Sequence, residues 1–142
     1  MYKKVFIDSD VILDFIAERK PFVAAADQIF AMVDQAQLKA FSSTVVMSNI
    51  YYLLAHNFKI KNARSVIKTL SSKLKPLAIT EQYLQSALDY KKIKDFEDAM
   101  QVFCALDAKV DCLITRNIKD YKNDLGLQVF TPDEFVAIHN LT

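Results

Sequence analysis

A short apolar strand that ends on a carboxylate sets the terms for the rest of this chain. Val5, Phe6 and Ile7 are a β-branched and aromatic run of the kind that forms buried strands, and Asp8 is the first polar residue where the run ends. Asp10 follows two residues later. An ionised carboxylate at the tip of a buried strand is costly unless a cation meets it, and the carboxyl ends of parallel strands are where open α/β sheets place ligands. The tip therefore reads as a metal site whose remaining ligands lie further along the chain.

The residues beyond it alternate in the way a parallel sheet requires. Residues 11–17 and 23–33 carry apolar side chains at helical spacing, with Pro21 between them as a break. Residues 38–41 form a candidate strand, and 42–44 supply a cap for a helix over 45–58 that is apolar on most sides and so expected in the core. Pro76 reads as the stop of a basic helical segment, 59–75, with a strand over 77–79 after it. Thr80 then caps a helix running toward Lys94. Asp95 opens the helix DFEDAMQVFCALDAK, residues 112–114 are a strand ending at Thr115, and residues 127–130 are the last strand. Thr131, Pro132, Asp133 and Glu134 place a cap, a first-turn proline and a third-position glutamate before a final helix. The expected fold is α/β, three layers with a parallel sheet covered on both faces.

At 142 residues the chain is expected to form one domain, 1–142, with no linker, repeat or low-complexity segment. No apolar run is long enough to span a bilayer and the N-terminus lacks a secretion signal, so the expected location is cytoplasmic. The single glycine, Gly126, excludes a Gly-rich phosphate loop. Cys104 and Cys112 do not share a metal-ligand spacing with His56 or His139 and read as buried thiols. A net charge of +1 gives no global attraction to nucleic acid, so any such contact must be local. The local candidate is 59–75, where Lys59, Lys61, Arg64, Lys68, Lys73 and Lys75 occur with no acid. That stretch is either a solvated helix face or a phosphate-contact surface, to which Arg116 adds a further cation.

Three acids recur at element ends: Asp8, Asp98 in the first turn of the helix opened by Asp95, and Asp120 shortly after Thr115. Strand C-termini and the helix N-termini that follow them share one edge of a right-handed α/β sheet. A carboxylate pair at about 4 Å repels by roughly 4 kcal/mol at an effective dielectric near 20. Mg2+ or Mn2+, hard cations that take oxygen ligands and keep waters and phosphate oxygens, would relieve that repulsion. Each acid also has a plainer reading: Asp10 as a helix N-cap, Asp98 as a charge favoured at a helix start, Asp120 as a solvated turn residue. The pair Asp8 and Asp10 in DSD further resembles the paired aspartates of haloacid-dehalogenase-type phosphatases, which need a lysine and more acids after a later strand.

VFIDSDVILDFI near the start, DFEDAMQVFCALDAKVDCLITRNIKDY further on and VFTPDEF near the close together resemble the PIN domain family, the ribonuclease fold common among toxins of toxin–antitoxin pairs. The resemblance covers nearly the whole chain in the expected order. It implies a five-stranded parallel sheet and acids that bind Mg2+ or Mn2+. It further implies cleavage of RNA by metal-activated water, a homodimer, and a complex with a cognate antitoxin. Position by position, Asp8 matches the first acid, Asp98 the central helical acid and Asp120 the last, with Ser9, Thr115 and Asn117 lining the site. The second acid is expected in SNIYYLL, where Asn49 stands instead. An amide neutralises nothing, which leaves open a PIN-like module that binds RNA or a partner without cutting. Asp95 is expected to cap its helix, and Glu97 to face solvent.

Overall fold

The computed structural model describes residues 2–141. Its centre is one parallel sheet of five strands: β1 (Lys4–Ile7), β2 (Lys39–Ser43), β3 (Leu74–Leu77), β4 (Cys112–Ile114) and β5 (Val129–Phe130), in the order β3-β2-β1-β4-β5. The helices are α1 (Ser9–Ile16), α2 (Val23–Asp34), α3 (Thr44–Tyr52), α4 (Ala63–Lys73), α5 (Glu81–Asp89), α6 (Phe96–Asp107) and α7 (Pro132–Asn140). Among the described residues no helix is long and apolar enough to cross a membrane.

Strand alternation divides the core in two. Val5 and Ile7 of β1 and Cys112 and Ile114 of β4 pack with α1, α2, α3, α4 and α7, whereas Phe6 and Leu113 pack with α5 and α6 on the other face. The side-chain period of two in an extended strand produces this split directly. Both cysteines are buried free thiols, as expected. The order reverses direction at β1, which pairs with β2 on one side and β4 on the other. The crevice outside the carboxyl ends of β1 and β4 is therefore the topological switch point.

Several boundaries differ from the sequence expectation for identifiable reasons. Pro76 does not stop the basic helix; the helix ends at Lys73 and Pro76 lies inside β3. β3 pairs only with β2, and an edge strand tolerates a residue without an N–H. The helix expected over 45–58 ends as α3 at Tyr52 and continues as a π-helical turn, Leu53–Asn57, leaving Tyr51, Tyr52 and Phe58 exposed rather than in the core. The caps hold: Ser43 caps α3, Thr80 caps α5, Asp95 caps α6, and Thr131 with Glu134 forms a reciprocal capping box on α7.

Two helices end in Schellman motifs without glycine. After α2, Ala36 N–H donates to Val33 O and Gln37 N–H to Met32 O; after α6, Lys109 N–H donates to Leu106 O and Val110 N–H to Ala105 O. Ala36 and Lys109 hold φ of 58° and 56°, the left-handed region where a Cβ meets the following carbonyl. Ala36→Gly and Lys109→Gly are each expected to stabilise the protein by up to about 1 kcal/mol. The gain is read as a higher urea midpoint at unchanged slope.

Candidate metal centre at the switch point

Asp8 follows β1 and caps α1: its Oδ1 accepts from Ser9 N–H at 2.8 Å. The N-cap of α1 is therefore Asp8 and not Asp10, which lies in the first helical turn. Thr115, immediately after β4, donates from Oγ1 to Asp8 Oδ2 at 2.9 Å. Parallel pairing of Ile7 with Ile114 sets the two residues side by side. Burial pushes the Asp8 carboxyl above its ordinary range, and the donors from Ser9, Thr115 and Tyr121 only partly oppose this.

Asp98 reaches the same crevice from the first turn of α6, where its own N–H bonds to Asp95 Oδ1 at 2.9 Å. Its Oδ1 accepts from the Tyr121 hydroxyl at 3.0 Å. That hydroxyl also engages the Asp8 carboxylate, so Tyr121 stands between the two acids. Burial, aided by the charges of Asp95, Asp8 and Asp120, raises Asp98 to about 7 despite the Tyr121 hydrogen bond. Asp120 precedes Tyr121 in a 3-10 turn, Ile118–Tyr121; it is exposed and acts on Asp8 and Asp98 through its charge. Tyr121 is nearly fully buried, and sequence reasoning gave it no role although it adjoins Asp120 in the TRNIKDY segment.

A second group of polar residues lies one turn along α1. Asp10 is raised to about 6, first by burial and then by the charge of Asp8. Its Oδ2 accepts from Arg116 N–H at 3.0 Å and from Asn117 Nδ2 at 3.3 Å, while its buried Oδ1 has no partner. Asp14, fully buried on α1, is held by Arg19 Nε at 2.8 Å and Arg116 Nε at 2.7 Å. The Arg116 guanidinium also lies 3.8 Å from the centroid of the Phe22 ring. Arg116 is thus engaged inside the protein rather than presented to a phosphate. Of the other candidate cations, Lys59 and Lys61 lie exposed before α4. Arg64 and Lys68 line a groove between α3 and α4 with Tyr51, and Lys73 pairs with Asp34 at 2.6 Å. Asn49 on α3 donates from Nδ2 to Glu97 Oε1 at 2.6 Å, so Glu97 does not simply face solvent.

Among the described residues no three His, Cys, Asp or Glu side chains form a ready-made metal cage. The donors present still suit a hard divalent ion. All are oxygens, and among the described residues the ion pairs involve Asp14, Asp34 and Asp124 but none of Asp8, Asp10, Asp98 or Asp120. Mg2+ in particular is commonly held by one or two carboxylates plus waters and substrate phosphates rather than by an all-protein cage. Asp8 and Asp98 are that pair, with Asp120 adding charge from the rim. The phosphatase reading needs a lysine beside Asp8, and none of these ion pairs supplies one.

The fold and the site together define a class: an α/β domain that gathers carboxylates without internal cations at its switch point. The chain belongs to the PIN domain family, which it matches over residues 4–119. It is 26% identical over 137 residues to Ribonuclease VapC1 of Aquifex aeolicus (strain VF5), covering 94% of this chain and 93% of that protein. Among solved structures it is similar to a toxin–antitoxin complex from Klebsiella pneumoniae, with a TM-score of 0.66 and 19% identity over 90% of this chain and 97% of that one. VapBC2 from Rickettsia felis, bound to a DNA fragment from its promoter, gives a TM-score of 0.69 at 13% identity over 90% and 98% of the two chains. Ribonucleases of the PIN family are generally dependent on a divalent metal.

Because Asp98 binds its proton more tightly folded than unfolded, that proton stabilises the fold fully below about pH 4, its unfolded value, and the contribution is lost as pH rises through about 7. Asp10 adds the same sign of effect through about 6. In metal-free buffer Tm is therefore expected to fall between about pH 5 and about pH 8, and Asp98→Asn to reduce that fall. Thermal denaturation of both proteins at the two pH values checks this.

Proposed function

We propose that residues 1–142 form one PIN domain acting in the cytoplasm as a metal-dependent endoribonuclease, the toxin of a toxin–antitoxin pair. The observation that carries this reading is the meeting of Asp8 and Asp98 around Tyr121 with no internal cation to offset them. The similarity to Ribonuclease VapC1 and to toxin–antitoxin complexes supports it. Asp8, Asp98 and Asp120 would hold the ion, Mg2+ or Mn2+, and Ser9, Thr115 and Asn117 line the site. Bound there, such an ion supplies charge for the phosphodiester and a lowered pKa for the attacking water.

The chain's own groups prepare the site. Ser9 N–H and the Thr115 hydroxyl each occupy one lone pair of Asp8, and an ionised carboxylate offers about four, so both oxygens keep capacity for a ligand. Tyr121 fixes Asp98 with a neutral donor and leaves its charge in place. Asn117 N–H donates to Thr115 Oγ1 at 3.2 Å, which orients the hydroxyl toward Asp8. RNA is the substrate, with Lys59, Lys61, Arg64 and Lys68 as phosphate contacts; a cognate antitoxin is the protein partner, and the toxin is a homodimer.

Asp8→Ala should abolish RNA cleavage and growth inhibition while the circular dichroism spectrum stays that of the parent. Cleavage by the parent should stop with EDTA and return with Mn2+ or Mg2+. A well-folded Asp8→Ala protein that still cuts RNA would refute the assignment.

A further inference from the structure

Glu97 sits in the first turn of α6, one residue before Asp98, and its Oε1 is held by Asn49 Nδ2 from α3 at 2.6 Å. Two features set it apart from an ordinary acid at a helix start. Its carboxylate interacts with the charge of Asp8 beyond the end of β1, so the two share one electrostatic field. Its partner is an amide, and among the described residues none of the ion pairs involves Glu97. A lysine or arginine at position 49 would orient the carboxylate and cancel it. Asparagine orients it and cancels nothing.

The pairing also spans the crevice. α3 follows β2 and α6 precedes β4, so the Asn49–Glu97 bond closes the side of the site opposite α1. An anion fixed there by a neutral donor, next to Asp98 and facing Asp8, is arranged for a cation supplied from outside. We propose that Glu97 is a fourth carboxylate of the acidic site, presented to the divalent ion by Asn49, which acts as its positioning residue. This rests on the metal-dependent reading above. Asn49 then costs the site no negative charge, because the charge enters from α6.

Mn2+ titration calorimetry on the full chain, with thermal melts alongside, tests it. Glu97→Gln keeps the hydrogen bond to Asn49 and removes the charge; it is expected to weaken Mn2+ binding about tenfold or more without loss of thermal stability. Asn49→Ala keeps the charge and releases it, and should weaken binding by a smaller factor. Glu97→Gln combined with Asn49→Glu returns a carboxylate to the same spot and should recover most of the affinity. Should Glu97→Gln and Asn49→Ala bind Mn2+ like the parent while Asp8→Asn does not, Glu97 is no part of the site and the nuclease reading stands without it. A double variant as weak as Glu97→Gln alone makes the pair a tie between α3 and α6 and overturns the proposal. A parent protein that binds no Mn2+ overturns both.

Discussion

Repulsion among carboxylates that no internal cation offsets is the constraint around which this fold is arranged. Asp8 is carried to the crevice by β1, the central strand, and Asp98 by the start of α6, and burial raises both. What holds them is a set of neutral donors: Ser9 N–H, the Thr115 hydroxyl and the Tyr121 hydroxyl. Neutral hydrogen bonds fix position but leave the field of the acids intact. The apolar packing of β1 and β4 on both faces offsets that strain, since Val5, Phe6, Ile7, Cys112, Leu113 and Ile114 are all fully buried.

Asp14 shows what the chain does with a carboxylate meant only for structure. It is as buried as any residue in the protein, and it receives two arginines, one from the turn after α1 and one from the residue after Thr115. Removing one partner of such a buried group is strongly destabilising because it leaves charge uncompensated. Arg116 therefore ties α1 to the tip of β4, and the same residue's N–H binds Asp10. The contrast between Asp14 and Asp8, six positions apart by their numbering, is functional in sense: cations are at hand and are placed on the first and not on the second.

Much of this was legible in the chain because it is local. Ser43, Thr80, Asp95 and Thr131 declare helix starts through side chains that reach only three residues ahead. Alternating apolar runs declared the strands and the parallel sheet. Pro76 misled because a proline stops helices in general, whereas its tolerance in an edge strand depends on which neighbours pair with it. Tyr121 had no local signature at all: its hydroxyl matters through Asp98, 23 residues away, and through Asp8 at the other end of the chain. The Asn49–Glu97 bond, with a separation of 48 residues, was hidden in the same way.

The placement of arginines also bears on how a polyanion would meet this surface. Arg116 lies beside the acidic crevice, and proximity alone would make it a phosphate contact. Its guanidinium, however, is shared between Asp14 and the face of Phe22, and releasing it would strand a fully buried carboxylate. Lys73 is tied to Asp34 on α2. On the proposed reading, backbone contacts then fall to cations with no buried acid to hold, Lys59 and Lys61 ahead of α4 and Lys68 on it, with Arg64 close to the Tyr51 ring. These exposed groups attract through a field that salt screens within roughly 10 Å at about 0.1 M, so their pull on RNA is weak and adjustable. The protein therefore separates two tasks by burial: arginines inside secure the scaffold of the crevice, and lysines outside meet the solvent.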